Sequence, residues 1–256
     1  MSIDAILPAG GRISGDFARE TGTEIKALIA LCGRTLLERT LATLRATGRV
    51  GRIVVIGPRE VVEHPCPHAA DAALMEAGSG PANIVRGMEW LWNASGGRYP
   101  ERILIITTDL PFLTAQAVTG FLDACPADVD VCLPLTRRRE FEAGFPGLTI
   151  EYVRLRDGQW TMGCAFLVSP TAIANNRAMI ERAFAGRKSQ IAMVRLLGPL
   201  FIVRFLARRL TVADIERRGL QLLGCTGAGI RGCAPELALD IDQPQDYHYA
   251  LLNCRR

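Results

Sequence analysis

The chain has 256 residues, of which 49% are hydrophobic and 22% charged, a composition typical of a folded globular protein and not of a disordered one. Its formal charge of +4 is carried almost wholly by arginine, since Lys26 and Lys188 are the only lysines. This excess would help to hold polyphosphates, but it is too small, and too little interleaved with aromatic side chains, for a nucleic-acid interface. We therefore exclude nucleic acid as a partner.

The first half of the chain alternates predicted strands and helices. Residues 3–7 form an apolar run that Pro8 and two glycines stop, which indicates a buried strand. A helix is predicted at 35–44, with Thr35 as N-cap and Glu38 completing a capping box. The other predicted elements of this half are strands at 52–57, 102–106 and 129–133, and helices at 83–92 and from Thr114 onward. This alternation predicts βαβ units and a mostly parallel sheet, with ligands binding outside the carboxyl ends of the strands.

The second half is less regular. Two strands are predicted at 149–156 and 160–168 around an Asp157-Gly158 turn. An amphipathic helix is predicted at 214–223, a last strand at 236–241, and a closing helix from Pro244. We expect one domain over residues 1–256, with a helical insertion at 170–223.

An apolar segment at 194–210 lies among many arginines within this insertion. Gly198, Pro199 and Arg204 interrupt it, so it is too short and too broken to span a bilayer. We favour an apolar face packed on the sheet with the arginines in water. The alternative is contact with a membrane surface or with a lipid-linked acceptor.

Eight cysteines are present, and none forms a Cys-x-x-Cys pair. Several, among them Cys32, Cys132 and Cys164, lie in apolar segments, where a thiol behaves as a small hydrophobic side chain. We predict reduced core thiols instead of a zinc site or a disulfide framework. The first residues lack the basic segment and the long apolar stretch of a signal peptide, so we expect a cytoplasmic protein.

The loop after the first predicted strand, Pro8-Ala9-Gly10-Gly11-Arg12, is neither a P-loop nor a dinucleotide fingerprint. Because its two glycines have no side chains, the backbone N–H groups there can approach phosphate oxygens closely. Arg12 could neutralise the charge of those oxygens. The loop alone does not distinguish this role from an ordinary strand-to-helix turn.

Acidic residues follow two of the predicted strands. Asp109 comes directly after the strand at 102–106 and would point into the ligand crevice, unless it serves as a turn residue or helix cap. Asp240 and Asp242 alternate along the predicted strand 236–241, so only one of them would reach the crevice. The alternative role for Asp242 is a cap of the helix that starts at Pro244.

Together, the glycine loop with Lys26 downstream, the segment Ile-Leu-Ile-Ile-Thr-Thr-Asp-Leu-Pro around Asp109, and Asp-Ile-Asp-Gln-Pro around Asp242 resemble the molybdenum-cofactor guanylyltransferase-like branch of the nucleotidyltransferases. The resemblance covers about residues 6–247. It implies an α/β, Rossmann-like sheet flanked by helices, the nucleotide-diphospho-sugar transferase fold. It also implies Mg²⁺-dependent transfer of a nucleoside monophosphate from an NTP to a small phosphorylated acceptor, with release of pyrophosphate.

The resemblance also implies the roles of individual residues. Lys26 and Arg12 would neutralise charge on the triphosphate, and Asp109 and Asp242 would bind Mg²⁺. The nucleotide would contact the glycine loop and a few residues beyond it: Leu7, Pro8, Ala9, Gly10, Gly11, Arg12, Lys26, Asn83 and Thr108. Asn83 has an alternative role as a helix N-cap.

Departures from the family pattern leave two other functions open. The glycine loop lacks a following Met-Gly step, which makes Arg19 a second candidate for the phosphate role. The segment 161–164 lacks the asparagine of a Gly-Gly-Asn turn on the acceptor side, so one alternative is a catalytically silent nucleotide-binding protein. The other is a glycosyltransferase of the related nucleotide-sugar fold, although the segment around Asp109 supplies no Asp-x-Asp.

Overall fold

The computed structural model describes residues 2–65, 69–186 and 196–254, and a large β-sheet runs through these ranges. The strands are, in chain order, β1 (Ile3–Pro8), β2 (Ala30–Leu31), β3 (Arg34–Thr35), β4 (Val50–Gly57), β5 (Ala72–Met75), β6 (Ile103–Ile106), β7 (Val131–Arg137), β8 (Val153–Leu155), β9 (Gly158–Met162), β10 (Ala165–Val168) and β11 (Gly227–Arg231). β2 and β3 form a hairpin of their own, and the other strands belong to the large sheet.

Helices cover the sheet and connect its strands. In chain order they are α1 (Gly15–Thr21), α2 (Leu36–Ala46), α3 (Arg59–Val62), α4 (Gly80–Ala94), α5 (Ala115–Ala124), α6 (Arg138–Gly144), α7 (Pro170–Gly186), α8 (Pro199–Leu206), α9 (Val212–Leu223) and α10 (Pro244–Asn253). Single turns of 3₁₀ helix occur at Lys26–Leu28 and Pro235–Leu237.

The sheet order is β5-β4-β1-β6-β10-β7-β9-β8, with β11 on the other side of β7. β1 pairs in parallel with β4 and β6, β4 with β5, and β7 with β11. Within the described sheet, β9 and β10 run in the direction opposite to that of the other strands. The prediction of a mostly parallel sheet flanked by helices is therefore confirmed.

Both faces of the central strands are buried, as expected for parallel strands covered by helices. Leu7, Val55 and Leu104 face the layer that contains α2 and α5. Ile6 and Ile56 face the opposite layer, which contains α4 and α7. The predicted capping box of α2 is present, because Glu38 N donates to Thr35 Oγ1 at 3.2 Å and Thr35 N donates to Glu38 Oε2 at 2.6 Å.

Two predictions about strands are wrong, and two strands have no counterpart among the predictions. The segment 236–241 is not a strand: Pro235 starts a 3₁₀ turn there, and Leu237 O accepts a hydrogen bond from Cys164 N at 2.8 Å. The predicted strand 160–168 is broken into β9 and β10 by a register shift along β7 at Gly163. β5 and β11, which are short or rich in glycine, were not predicted.

The cysteine prediction is also wrong in part. Cys32, at the tip of the β2–β3 hairpin, is joined by a disulfide to Cys254, just after α10, with a Cα–Cα distance of 6.4 Å. The two residues are 222 positions apart, so no local spacing indicated the pair. The remaining described cysteines are free thiols: Cys125, Cys132, Cys164, Cys225 and Cys233.

The segment predicted as a helical insertion, 170–223, contains α7, α8 and α9, and its residues 187–195 lie outside the described ranges. Two residues of the apolar segment 194–210 fall in that gap. Among the described helices, none combines the length and the hydropathy that a membrane crossing requires.

Candidate active site

A glycine loop and a lysine meet at the carboxyl end of β1. Lys26 N donates a hydrogen bond to Gly11 O at 2.9 Å, and an isolated bridge pairs Arg12 with Ile25. A Cβ on Gly11 would lie 3.2 Å from Lys26 Cδ, tighter than an ordinary side-chain contact. The glycine therefore lets the lysine side chain pass directly along the loop.

Glu76, just after β5, covers another side of the same loop. A Cβ on Gly10 would overlap the Glu76 carboxylate, so a larger residue there would displace the end of that side chain. The half-exposed Arg12 guanidinium pairs with Glu76 Oε1 at 2.9 Å. An anion bound at the loop would have to compete with Glu76 for Arg12. Arg19, the second candidate for the phosphate role, is an exposed residue of α1 that pairs with Asp16.

Three carboxylates converge on Lys26 beside this loop. One oxygen each from Asp109, Asp240 and Asp242 lies within 4.8 Å of the others. Lys26 Nζ lies 3.4 Å from Asp109 Oδ2 and also forms an ion pair with Asp242. The prediction that only one of Asp240 and Asp242 reaches the crevice is wrong, because the segment that carries them is not a strand.

Backbone hydrogen bonds hold the two acidic segments together and exclude the capping roles. Ile241 N donates to Asp109 O at 3.0 Å, which places the segment of Asp240 and Asp242 beside the end of β6. Asp242 N and Gln243 N donate hydrogen bonds to Asp246 Oδ2. Asp246, and not Asp242, is therefore the side chain that accepts hydrogen bonds from the backbone at the start of α10. The N-cap of α5 is Thr114, so Asp109 caps no helix there.

The electrostatics of this cluster follow from its burial and its charge. Burial by itself would lower the pKa of Lys26, but the charges of Asp109 and Asp242 outweigh it, and the pKa is raised. Burial, followed by repulsion from Asp109 and Asp242, raises the pKa of Asp240 to about 7. The cluster thus carries more negative charge than its one ammonium group neutralises.

The carboxylate cluster fits a hard divalent cation. Asp109 Oδ1 is buried and has no hydrogen-bond partner among the described residues, a costly arrangement for a carboxylate oxygen that binds nothing. Carboxylate oxygens are the ligands that Mg²⁺ prefers in proteins. Asp109 and Asp242, the two residues predicted from the sequence as metal ligands, could therefore hold Mg²⁺, with Asp240 as a third carboxylate.

Four other residues predicted to bind the nucleotide are buried or partly buried: Leu7, Pro8, Ala9 and Thr108. The side chains of Leu7 and Ala9 belong to the core, so only their backbone groups are available to a ligand. Thr108 is buried, while Pro8 is partly exposed at the end of β1.

Asn83 lies inside α4 and not at its start. The N-cap is Ser79, whose side chain accepts a hydrogen bond from Ala82 N, so the capping role suggested for Asn83 is wrong. The buried Asn83 accepts a hydrogen bond at Oδ1 from Ala77 N at 2.5 Å, which fixes the loop after Glu76.

Two residues of the site, Glu76 and Asp240, were missed by sequence reasoning. Glu76 follows β5, a strand whose sequence has no β-branched residue and which was therefore not predicted. Asp240 was set aside because its segment was assigned as a strand. The signal that argued otherwise was Pro235, which cannot donate to a strand ladder and favours the turn that the structure contains.

Comparisons with known proteins show similarity to a family, to a curated protein and to solved structures. The family described as "MobA-like NTP transferase domain" matches residues 5–224. A molybdenum cofactor guanylyltransferase of Acidiphilium cryptum (strain JF-5) is 33% identical over 127 residues, a region that covers 48% of this chain and 58% of that relative. A solved structure of a hypothetical transferase from Thermus thermophilus superposes with a TM-score of 0.83 at 28% identity, covering 96% of this chain and 99% of that one.

More distant structures agree in fold. The 4-diphosphocytidyl-2C-methyl-D-erythritol synthase of Anaerococcus prevotii DSM 20548 superposes over 100% of this chain and 99% of its own, with a TM-score of 0.60 and 15% identity. At that identity the likeness concerns the arrangement of strands and helices alone. It supports the fold described above, a mostly parallel sheet flanked by helices.

Proposed function

The chain belongs to the family of MobA-like NTP transferase domains, and we propose that it transfers a nucleoside monophosphate from an NTP to a small phosphorylated acceptor. An acceptor phosphate oxygen would attack the α-phosphorus of the NTP and form the new P–O bond. The bond from that phosphorus to the bridging oxygen of the β-phosphate would break, and pyrophosphate would leave with the electron pair.

One observation carries this proposal: Lys26 and the carboxylates of Asp109, Asp240 and Asp242 meet beside a glycine loop at the carboxyl edge of the sheet. In open α/β sheets, ligands bind at this edge. The loop gives phosphates access to backbone N–H groups, and Lys26 and Arg12 supply positive charge beside it.

The acidic residues would hold Mg²⁺, with Asp109 and Asp242 as ligands and Asp240 beside them. The ion would stabilise negative charge on the phosphates and on the departing pyrophosphate. Lys26 would keep its ammonium group next to the same phosphates, since the charges of Asp109 and Asp242 hold it protonated. Glu76 would release Arg12 when a triphosphate enters the loop.

Thermal unfolding with each NTP, with and without Mg²⁺, tests this proposal first. We expect one NTP to raise the melting temperature only when Mg²⁺ is present, because ligands that bind the native state stabilise it by mass action. GTP is the first to test, since the relative from Acidiphilium cryptum is named a guanylyltransferase. Pyrophosphate release in the presence of phosphorylated acceptors is the second measurement.

Two results would contradict the proposal. Stabilisation by a nucleotide sugar and by no NTP would favour a glycosyltransferase of the related fold. Stabilisation by an NTP without Mg²⁺, and without pyrophosphate release from any acceptor, would favour a nucleotide-binding protein that does not catalyse transfer.

A further inference from the structure

A cavity of about 320 Å³ lies between α9 and the sheet, away from the carboxylate cluster. β7, β9 and β11 are neighbours in the sheet and form the sheet side of the cavity. Alternate residues of a strand face the same side of a sheet, so alternate residues of β7 line it. The walls are almost entirely apolar, and they include Val131, Leu133, Leu135, Trp160, Ile215 and Leu223. Glu216, the one carboxylate of the described lining, accepts a hydrogen bond from Gly229 N at 2.8 Å.

The size and lining of this cavity suit an organic ligand and not water. Small-molecule sites have volumes of roughly 300–1,000 Å³ and mostly apolar walls. An apolar cavity of about 150 Å³ stays dry and binds a molecule as large as benzene. A site about twice that volume accommodates a longer hydrocarbon chain or a fused ring.

Two arginines lie beside one end of the cavity, against its lining residue Trp160. Arg137 and Arg231 lie on the same side of the sheet as Leu133 and Leu135, by the same alternation along β7 and β11. Both guanidinium groups lie over the ring of Trp160, at 4.8 Å and 5.8 Å from its centroid. Arg231 pairs with Asp157 at 3.4 Å, whereas Arg137 makes no ion pair with any described residue.

The Trp160 ring between the arginines has an unsatisfied donor. Its side chain is 2% exposed, and its Nε1–H has no hydrogen-bond partner among the described residues. A buried indole N–H normally has one. The N–H is buried away from the cavity, so it is the apolar walls and Arg137, whose guanidinium group forms no ion pair with a described residue, that together match a ligand with a hydrocarbon part and an anionic head.

The charged end of the cavity lies at the same edge of the sheet as the candidate active site. β6 and β7 are both antiparallel to β10, the strand between them, so they run in the same direction. β11 is parallel to β7, so the carboxyl ends of β6, β7 and β11 lie at the same edge of the sheet. Thr161 and Met162 line the cavity. Two residues later, Cys164 O accepts a hydrogen bond from Thr107 N at 3.1 Å, two residues before Asp109.

Gly163 makes this short connection between cavity and carboxylates possible. A Cβ there would lie 2.6 Å from Leu237 O, in the turn that leads to Asp240. The chain therefore passes from the cavity wall to the carboxylate cluster within three residues, 162 to 164.

The neighbouring helix α8 presents apolar side chains to solvent. Leu200, Val203 and Leu206 are 73%, 61% and 73% exposed. Arg204 pairs with Asp214 at 3.3 Å, which holds α8 against the first turn of α9, the helix that covers the cavity. A short helix with exposed leucines beside arginines is typical of segments that rest on a lipid surface.

We propose that this cavity binds the hydrocarbon part of an anionic amphiphile, with its phosphate head at Arg137 and Arg231, and that this amphiphile is the acceptor of the transfer. The second part of the statement rests on the proposed function. The phosphate head would attack the α-phosphorus as described above, and α8 would meet the membrane that supplies the amphiphile.

Binding of decyl phosphate, measured by titration calorimetry below its micelle concentration, tests the site itself. We expect saturable binding with one molecule per chain. Inorganic phosphate lacks the chain and decanol lacks the charge, so each should bind at least about tenfold more weakly, a loss of about 1.4 kcal/mol. Equal affinity for decanol would overturn the role of the arginines.

A glycine in α9 allows the cavity to be filled without disturbing the fold. A Cβ on Gly219 meets no atom within 4 Å, and the residue lines the cavity. Gly219→Leu should weaken decyl phosphate binding at least about tenfold while stabilising the helix. The matched control is Gly120→Leu in α5, another exposed-helix glycine with no atom within 4 Å, which should leave binding unchanged.

Arg137→Gln tests the charged end of the cavity. We expect it to weaken decyl phosphate binding severalfold and to leave decanol binding unchanged. Arg139→Gln, at a neighbouring arginine that is 76% exposed, is the control and should change neither.

NTP-dependent thermal shifts measured on the same samples separate the two proposals. If the NTP stabilises the protein but decyl phosphate does not bind, or binds Gly219→Leu as well as wild type, the cavity proposal is wrong and the proposed function stands. If decyl phosphate binds at the cavity and is not converted to the decyl ester of a nucleoside diphosphate, with release of pyrophosphate, in the presence of a bound NTP, the acceptor role is wrong. If the NTP fails to bind at all, the proposed function itself is overturned.

Discussion

Lys26 is surrounded by three carboxylates, so its removal and the removal of one carboxylate should have opposite effects on stability. Lys26→Met leaves Asp109 and Asp242 without their cation, and we expect a loss of about 1–3 kcal/mol in the free energy of unfolding. Asp240→Asn removes one repelling charge, and we expect a higher melting temperature. Both are measured by denaturant or thermal unfolding in a chelator, so that no divalent ion compensates.

The control for this pair is a carboxylate in an exposed ion pair elsewhere. Asp123, exposed on α5 and paired with Arg49, should change stability by less than about 1 kcal/mol when replaced by Asn. A destabilised Asp240→Asn would contradict the account, because it would mean that Asp240 contributes a bond worth more than the repulsion it causes.

Asp109→Asn tests the proposed metal site through activity. The amide keeps the shape of the side chain but loses the charge that would hold Mg²⁺, so we expect Mg²⁺-dependent turnover to fall at least about a hundredfold. The fold should persist, since the Asp109 backbone carbonyl keeps its bond from Ile241 N. Normal turnover in this variant would remove Asp109 from the mechanism, while Asp123→Asn should be fully active.

The sequence predicted the charged residues of the site better than their neighbours. Lys26, Asp109 and Asp242 each stand in a motif, and the structure brings all three together. Glu76 stands in no motif that was read from the sequence, and Asp240, although it belongs to the Asp-Ile-Asp-Gln-Pro motif, was given no role. Glu76 reaches the loop only because β5 pairs with β4, and such long-range pairing leaves no local pattern.

At the scale of elements, the connection between β9 and β10 leaves no room for a side chain at Gly163. A Cβ on Gly163 would lie 2.6 Å from Leu237 O and 2.8 Å from Pro134 Cγ. We expect Gly163→Ala to cost about 1–3 kcal/mol of stability, as overpacked sites do, and to lower activity by displacing the segment of Asp240. The matched control is Gly227→Ala, where the nearest atom would be 3.8 Å away.

Unfolding and turnover of the two glycine variants are measured together. Unchanged stability and activity in Gly163→Ala would mean that the turn at 235–237 moves freely and does not position the carboxylates.

Elements with a local signal were predicted well, and those defined by distant partners were not. The capping box of α2 and the N-cap of α5 involve residues three apart, so the sequence contains the whole interaction. The segment 236–241 has the alternating apolar pattern of a strand, yet its backbone bonds go to Cys164 and Asp109. Those partners come from other parts of the fold, and periodicity carries no information about them.

At the scale of the whole molecule, the disulfide joins the β2–β3 hairpin to the residue that follows α10. Cys32 and Cys254 are 222 residues apart, and a crosslink over so long a loop stabilises by about 2–4 kcal/mol. We expect a reducing agent to lower the melting temperature of the wild type. Cys254→Ser should melt at that lower temperature with or without the reducing agent.

This prediction also concerns the site. Asp242 immediately precedes α10, which the disulfide anchors to the β2–β3 hairpin, so reduction should increase amide exchange in α10. If the reducing agent leaves the wild type unchanged, the two cysteines are thiols, as predicted from the sequence.

The position of β10 between β6 and β7 has a consequence for synthesis of the chain. β6 is wholly apolar, and it is paired on one side by β1 and on the other by β10, which is made 62 residues later, since 168 − 106 = 62. At about 5–20 residues per second, a ribosome needs roughly 3–12 s to add them. During that interval the nascent chain presents an unpaired apolar edge, the kind that recruits other chains. We expect β6 to be the segment that chaperones bind first and the one from which aggregation starts when they are scarce.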